Sequence, residues 1–484
     1  MPFTQTPTQS TYQTRRLGFI ENPQTRDGTD KTKDQRIVNF FPELIQESQG
    51  ARTKDYTIKS RPGTVYLASG GATAAGRGVV YFNGSRFTVI GNAIYRNGTT
   101  MGVTLGTSTG RIGFTEFHGT YRSLIVLDGI KGWEIKLDNS ITNISSVNFP
   151  TPHVPFPVSI DGYLLVTKSG TADLYNSDLT NALGWTPGSF ISAELYPDNI
   201  VALAKNNNYC YTIGDSSVEF FYDAGIASGS PFQRNTSAVQ QLGCPAPNTV
   251  TETDKEVVFV GTTSSGGFTV WVLDGFNPKE IGYPSLRESL DAEGTNIVNA
   301  TGFSVRARGH KFYILQLTSR TWVYDFHEKL WHEWTYSNST TQFPFNYGCD
   351  APGGMPYLIH NSNGNVVTLS DTVATDQITA AAGINIYSEL TTCKQDFDSM
   401  RRKDCSRLTM IGTAPTVANT TMTIQWSDDD YQTWSAARTL NINGSYSSIT
   451  QLGKFRRRSW RFTYNNALPI LFEGYEMDLN VGSS

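Results

Sequence analysis

The sequence has few of the residues on which most enzymatic and metal-binding chemistry depends. Its 484 residues include 6 histidines and 5 cysteines, and charged residues make up only 17%. The cysteines form no CxxC pair, and no histidine stands at zinc-ligand spacing from one of them. We therefore predict no metal site and no cofactor. The scattered thiols are typical of a protein that folds in a reducing cytosol.

Long hydrophobic runs are also missing. No window approaches the roughly 20 apolar residues that a membrane span needs. The first residues, MPFTQTPTQSTYQTRR, contain no apolar segment of the kind found in a secretory signal. We therefore expect no stable membrane insertion. The formal net charge of −4 gives no global positive field for gripping nucleic-acid phosphates.

What the sequence does contain is turn-rich β material that repeats. Glycine is frequent, with 44 residues, and aromatic residues make up 12%. Seven times, a short apolar strand is followed after a turn by a second strand. The first strands of these hairpins begin at Val79, Leu124, Tyr163, Tyr209, Val257, Lys311 and Pro356. Successive hairpins start roughly 40 to 50 residues apart, which is the period of a four-stranded propeller blade. Each hairpin is therefore predicted to be the middle of one blade.

The period predicts an all-β fold built on a β-propeller. We expect seven blades, or six if the hairpin at Val79 belongs elsewhere. Residues 1–60 form a polar and irregular N-terminal arm, 61–372 the propeller, and 373–384 a linker rich in threonine, alanine and glycine. Residues 385–484 are predicted to form a C-terminal β-sandwich, because five or more alternating strands in about a hundred residues suit that fold.

The N-terminal arm contains one apolar segment, which includes Phe40 and Phe41. Two adjacent phenylalanines left in water would forgo about 2 kcal/mol each. We therefore expect both rings to be buried, in the propeller or in a neighbouring subunit. This makes them candidate assembly contacts.

A basic run between Lys454 and Arg461 is the sharpest charge feature of the chain. Arg456, Arg457 and Arg458 are further candidate assembly contacts, and two interpretations of them stay open. One is contact with DNA phosphates or with an acidic partner surface. The other is a solvated strand whose arginines pair with nearby acids, the nearest in sequence being Glu473, Glu476 and Asp478. We hypothesise that at least one of the three forms an inter-subunit or inter-domain ion pair.

Few residues suggest catalysis. Asp215 and Glu219 could form a glycosidase pair, but Asp215 opens a tight turn and Glu219 alternates with apolar residues, as a solvent-facing strand residue would. His327 and His332 fit neither a zinc pair nor a catalytic triad. We place them at the rim of a blade, in the turn between its third and fourth strands. No catalytic residue is predicted. A β-propeller glycan hydrolase or glycan-binding module stays as the alternative function.

A hairpin near the C-terminus resembles the Asp-box motif, S-x-D-x-G-x-T-W. It runs from Ser427 to Trp434, and Tyr431 stands where the motif prefers glycine. In that motif the aspartate and the threonine tie the turn together. Its role is structural, so it adds little to the case for an enzyme.

Several short segments, in this order, carry a wider resemblance. They are Arg36–Glu43 (RIVNFFPE), Ser60–Thr64 (SRPGT), Ile213–Phe221 (IGDSSVEFF), Trp322–Asp325 (WVYD), Trp331–Trp334 (WHEW), the Asp-box-like hairpin and the arginine-rich strand. Together they resemble the tail-hub, or nozzle, proteins of short-tailed, podovirus-type bacteriophages, a family named for stabilising packaged DNA.

The resemblance implies a structural virion tail protein and not an enzyme. A homohexameric ring would lie below the portal-adaptor ring and continue the DNA channel. It would retain the packaged genome and support its ejection into the host, while double-stranded DNA passes without specific contacts. A tail needle or plug, or tail fibre or spike proteins, would be further partners. Assembly would take place in the host cytoplasm.

Overall fold

A computed structural model describes residues 13–18, 35–46 and 55–482, except 194, 197, 339, 414, 416, 418, 419 and 445. Strands dominate these residues. Their helical elements are α1 (Pro284–Glu293) and three 3-10 helices, Pro247–Thr249, Gly294–Asn299 and Pro352–Gly354. No helix in the described ranges is long and apolar enough to cross a membrane.

The N-terminal segment contributes strands that pair with distant parts of the chain. They are β1 (Gln13–Leu17), β2 (Arg36–Val38), β3 (Phe40–Gln46), β4 (Asp55–Ser60) and β5 (Gly63–Ser69). The described part of residues 1–60 is thus paired strand, where the sequence indicated an irregular arm. The rest of that arm lies outside the described residues. Local patterns do not reveal these strands, because their partners lie hundreds of residues away.

Six sheets are each built from four consecutive antiparallel strands. The first three are blade 1, with β6 (Gly76–Phe82), β7 (Ser85–Ile90), β8 (Ala93–Arg96) and β9 (Thr99–Thr104); blade 2, with β10 (Gly113–His118), β11 (Arg122–Leu127), β12 (Gly132–Lys136) and β13 (Ile141–Asn143); and blade 3, with β14 (Val158–Ile160), β15 (Tyr163–Thr167), β16 (Asp173–Asn176) and β17 (Phe190–Ser192).

The next three follow in the same order. They are blade 4, with β18 (Ile200–Asn206), β19 (Tyr209–Gly214), β20 (Val218–Asp223) and β21 (Phe232–Arg234); blade 5, with β22 (Thr251–Glu252), β23 (Glu256–Thr262), β24 (Phe268–Asp274) and β25 (Asn277–Glu280); and blade 6, with β26 (Thr301–Ala307), β27 (His310–Gln316), β28 (Thr321–Asp325) and β29 (Leu330–Glu333).

A composite sheet, blade 7, closes the circle. It contains β30 (Phe345–Cys349), β31 (Tyr357–His360) and β32 (Asn365–Ser370), and β5 from the N-terminal side pairs antiparallel with β32. The inner strand β30 contacts the inner strands of blades 6 and 1. The β-propeller predicted from the hairpin period is confirmed. Six of the predicted hairpins are middle strands, whereas the hairpin at Val79 is the inner pair of blade 1.

The remaining strands form the C-terminal β-sandwich. They are β33 (Thr375–Asp376), β34 (Ile384–Asn385), β35 (Ser388–Thr391), β36 (Lys403–Thr413), β37 (Thr421–Ser427), β38 (Arg438–Asn441), β39 (Ser448–Thr450), β40 (Lys454–Phe455), β41 (Ser459–Tyr464) and β42 (Leu471–Val481). One sandwich sheet contains β36, β39, β40 and β42 together with β1, β3 and β4. The other contains β35, β37, β38 and β41 together with β2. One hydrophobic core lies between the two sheets.

The propeller and the sandwich share backbone hydrogen bonds. Strand β2 runs parallel to β29 of blade 6 and antiparallel to β35, so one nine-stranded sheet passes from the propeller into the sandwich. The predicted linker contains β33, which pairs in parallel with β5. Continuous pairing, and not a free linker, therefore connects the two domains.

A candidate assembly junction

Phe40 and Phe41 lie where the two domains meet. Successive strand residues face opposite sides, and the two rings enter different cores. Phe40 lies in the sandwich core, and Phe41 lies in the propeller core against Phe312, with ring centroids 5.8 Å apart. They are 1% and 0% exposed, so the expected burial is confirmed, inside this chain. Their role as assembly contacts stays a prediction, and it can operate only through the fold.

Arg61 is the most heavily bonded residue of this junction. Its side chain is 0% exposed. Its Nη1 and Nη2 donate to Asp376 Oδ1 and Oδ2 at 3.0 and 2.5 Å. The same two nitrogens donate to the Pro62 and Thr335 carbonyl oxygens at 2.9 and 3.0 Å, and Nε donates to Asn39 Oδ1 at 2.8 Å. One guanidinium therefore ties the end of blade 6 to the N-terminal strands and to β33.

Asn39 completes the connection from the other side. Its φ of 56° lies in the left-handed region, which asparagine tolerates better than most residues. Its Nδ2 donates to Thr335 Oγ1 and to the Tyr387 carbonyl, both at 2.7 Å, and its Oδ1 accepts from the Thr335 amide at 2.8 Å. Asn39 thus joins the propeller exit to the start of β35.

The other polar residues of the RIVNFFPE segment belong to the same junction. Arg36 donates from Nε and Nη2 to the two carboxylate oxygens of Glu333 at 3.0 and 3.1 Å. Glu43 forms an ion pair with Lys59 and lies 3.8 Å from His310 Nε2. The segments RIVNFFPE and SRPGT, which carried part of the resemblance, therefore meet in space. Sequence analysis did not assign a role to Arg61 or Asp376, because nothing local marks a buried ion pair between residues so far apart.

His332 also lies at this junction, which corrects one sequence prediction. The turn from β28 to β29 does join third and fourth strands, and His327 is exposed there as expected. His332 is instead buried between Phe41 and Trp334. Burial lowers the pKa of His332 to about 4, so the ring is neutral at pH 7 and packs as an aromatic filler.

This burial predicts a pH dependence of stability. Between pH 6.5 and pH 4 the unfolded chain binds a proton at His332 that the folded chain does not bind, so the free energy of unfolding should fall as the pH drops. The loss for this residue is at most about 1.4 kcal/mol per pH unit. Denaturant unfolding at several pH values should show a shallower slope for His332→Phe than for the wild type. The exposed control His327→Phe should keep the wild-type slope, and equal slopes in both variants would disprove the assignment.

The Asp-box-like hairpin has the hydrogen bonds of its motif. Asp429 accepts from Ser427 Oγ at 2.8 Å, from the Thr433 amide at 2.9 Å and from Thr433 Oγ1 at 2.5 Å. Bonds from Thr433, and then from Ser427, lower the pKa of Asp429. Tyr431 has a φ of 70°, which explains why the motif prefers glycine there. The hairpin is a structural turn at the edge of the sandwich.

The arginine run divides into differently placed side chains. Arg458 is buried and donates to both carboxylate oxygens of Asp428 at 2.7 and 2.8 Å, and Arg457 forms an ion pair with Asp430. Arg456 is exposed and donates to the carbonyl oxygen of Met400 at 2.8 Å.

Two expectations about this run were wrong. The three arginines lie between β40 and β41 and not in a strand, so Arg456 and Arg458 do not share a face. The carboxylate partners of Arg457 and Arg458 come from the Asp-box-like hairpin, and the suggested acids Glu473, Glu476 and Asp478 are not among them. Both ion pairs lie within the sandwich. An inter-subunit pair stays a prediction.

The suggested glycosidase pair is engaged in structural contacts. Glu219 is buried, contrary to the solvent-facing position expected, and Arg234 Nε lies 2.5 Å from its carboxylate. Burial raises the pKa of Glu219. The turn after Asp215 is held by Asp198, whose Oδ2 accepts from the Ser216 and Ser217 amides at 2.9 and 2.8 Å. These contacts account for both acidic residues without catalysis.

A cavity of about 430 Å³ lies among the inner strands of the blades. Arg111, just before β10 of blade 2, crosses it and donates to the Asn248 carbonyl at 2.8 Å, beside blade 5. Its guanidinium lies 4.7 Å from the ring centroid of Phe156 and 6.0 Å from that of Tyr347. Burial lowers the pKa of Arg111. A DNA duplex, whose major groove alone is about 12 Å wide, cannot pass through this axis.

Comparison with known proteins gives one family match. The model of the family Phage_stabilise, described as "Bacteriophage P22 Gp10, beta-propeller", matches residues 27–348, about two thirds of the chain. Among curated proteins, no sequence matches.

Three solved structures illustrate the similarity in fold. The N-terminal domain of Nup159 is 13% identical, covers 68% of this chain and 98% of its own, and has a TM-score of 0.38. A catalytically inactive virginiamycin B lyase from Staphylococcus aureus is 10% identical, with 63% and 98% covered and a TM-score of 0.39. The extracellular domain of a putative hybrid two-component system from B. thetaiotaomicron is 9% identical, with 85% and 61% covered and a TM-score of 0.41.

Proposed function

The chain belongs to the Phage_stabilise family and is a phage structural protein of the DNA-stabilising kind; from this premise we propose that it is the hub, or nozzle, of a short virion tail. Copies of the chain form a hexameric ring beneath the portal-adaptor ring. The lumen of the ring continues the DNA channel, retains the packaged genome and passes it during ejection. The ring is assembled in the host cytoplasm and carries a needle or plug, or fibres or spikes, at its free end.

The observation that supports a ring most strongly is the Arg111 side chain across the propeller axis. If DNA passes through an assembly of this chain, its path must lie between copies and not through one propeller. The shared sheet from blade 6 into the sandwich makes each copy one extended unit. Identical units that share heterologous contacts close into a ring when the rotation between them allows it.

The alternative, a glycan hydrolase or glycan-binding propeller, has less support. Its candidate carboxylate, Glu219, is buried against Arg234. Such a pair stabilises a turn between blade strands, whereas a glycosidase needs an accessible carboxylate beside the sugar. We therefore carry the hub proposal forward.

The test is genome retention in particles. Phage particles assembled without the chain should package DNA but lose it, and the wild-type chain supplied in trans should restore retention. Nuclease-accessible DNA per particle measures the loss, and gold labelling of a tagged chain should mark the tail vertex. Full retention without the chain, or a label distributed over the capsid, would contradict the proposal.

A further inference from the structure

The sandwich carries a basic surface of which sequence analysis identified only half. A second basic run, Arg401-Arg402-Lys403, lies beside the arginine run because β36 pairs with β40, with Lys403 opposite Phe455. Arg456 Nη1 also donates to the Met400 carbonyl at 2.8 Å, which joins the two runs. We define the basic patch as the exposed cations that this pairing brings together: Arg401, Arg402, Lys454 and Arg456.

Lys403 holds the patch in place from below. Its side chain is buried, and its Nζ donates to the carbonyl oxygens of Arg401 at 2.9 Å and of Arg456 at 2.7 Å, as well as to that of Ser399. Burial lowers the pKa of Lys403. One ammonium thus fixes the backbone of both runs, and a surface fixed before binding loses less entropy when a partner docks.

The patch cations differ from their neighbours in how they are paired. Arg407, Arg457 and Arg458 each bind an aspartate of the sandwich. Within the part of the chain that the structure describes, the four patch cations form no ion pair with a carboxylate. Their charge therefore remains available to a partner.

The composition of the surface favours a protein partner over DNA. Met400 and Val481, which border the patch, are 55% and 42% exposed. Val481 lies opposite Lys403 in the pairing of β36 with β42. Arginine and methionine together are enriched at protein interfaces, whereas a phosphate-backbone contact depends on cations and gains little from exposed apolar side chains.

Charge complementarity points to a second copy of this chain. Residues 399–407 and 453–461 carry nine lysines and arginines against one aspartate, so a total of −4 leaves the rest of the chain at −12. That remainder repels DNA and attracts the patch of a neighbour. We propose that the basic patch of each copy binds an acidic surface of the next copy in the ring, a heterologous contact that rests on the proposed function.

The first test compares two charge-matched variants by native mass spectrometry. Arg402→Glu/Arg456→Glu should weaken ring formation about 100-fold, because repulsion replaces attraction at the contact. Lys255→Glu/Lys279→Glu, which reverses two exposed charges of blade 5, should form rings like the wild type. Unchanged melting temperatures should show that both variants fold.

The outcomes separate this proposal from the proposed function. Wild-type rings with equally stable rings of the patch variant would overturn the patch interface alone. A wild type that forms no ring, even with the adaptor ring present, would overturn the hub and the interface together. Binding of a short duplex, followed by fluorescence anisotropy, should be equal in all three proteins. Loss of duplex binding in the patch variant with intact rings would show DNA to be the partner and would also overturn the proposal.

A cross-link should identify the acidic surface. Carbodiimide joins an amine to a carboxylate only where they touch, and Lys454 is the lysine of the patch. In rings assembled from mixed ¹⁴N and ¹⁵N chains, we expect a peptide pair that joins Lys454 of one isotope to an Asp or Glu of the other. If other inter-chain pairs form while Lys454 is found only in same-chain pairs, the patch is not at the interface.

Discussion

Arg61→Ala should lower the free energy of unfolding by about 3–5 kcal/mol, since it leaves the buried carboxylate of Asp376 without its counter-ion. Its hydrogen bonds to Asn39 and to the Thr335 carbonyl disappear at the same time. Denaturant unfolding followed by tryptophan fluorescence measures the change, because the guanidinium lies 5.7 Å from the Trp334 ring centroid.

Two comparisons make this result specific. Arg122→Ala removes an exposed arginine that pairs with Glu116 at 2.8 Å, and such surface pairs contribute about 0–1 kcal/mol. Arg61→Met/Asp376→Leu removes both buried charges and should recover much of the loss. An Arg61→Ala variant as stable as Arg122→Ala would show that the junction does not depend on this ion pair.

Phe40→Ser/Phe41→Ser should prevent stable folding and therefore ring assembly. Each ring fills a different core, and truncating one buried phenylalanine costs about 3–5 kcal/mol. Together the two losses rival the 5–15 kcal/mol that stabilise a typical domain. Solubility, circular dichroism and native mass report folding and assembly in turn.

The matched control is Phe190→Ser, which alters an exposed phenylalanine of blade 3. It should fold and assemble normally. The single variants should each be less stable than the wild type, with Phe40→Ser acting through the sandwich and Phe41→Ser through the propeller. Normal rings from the double variant would show that these strands are dispensable.

The propeller could be predicted because its signal is local and periodic. Hairpins such as those at Leu124, Tyr163 and Tyr209 are strong β patterns, and each became the middle of its blade. The Asp-box-like hairpin could be predicted for the same reason, since its hydrogen bonds join residues within one turn.

The rest depends on long-range partners that local patterns do not specify. The strand containing Phe40 was hidden because its sheet partners in the sandwich come hundreds of residues later. Glu219 alternates as a solvent-facing residue would, yet Arg234 from the neighbouring strand covers it. The basic patch had a readable signal, the run Arg401-Arg402-Lys403, but only the pairing of β36 with β40 reveals that it adjoins Arg456.

Electron cryomicroscopy of the isolated assembly tests the central claim most directly. The account predicts a six-fold ring whose lumen lies between copies, wide enough for duplex DNA, with every propeller axis away from the lumen and closed by Arg111. A monomer in the presence of the adaptor ring, or DNA density running through a propeller axis, would contradict it.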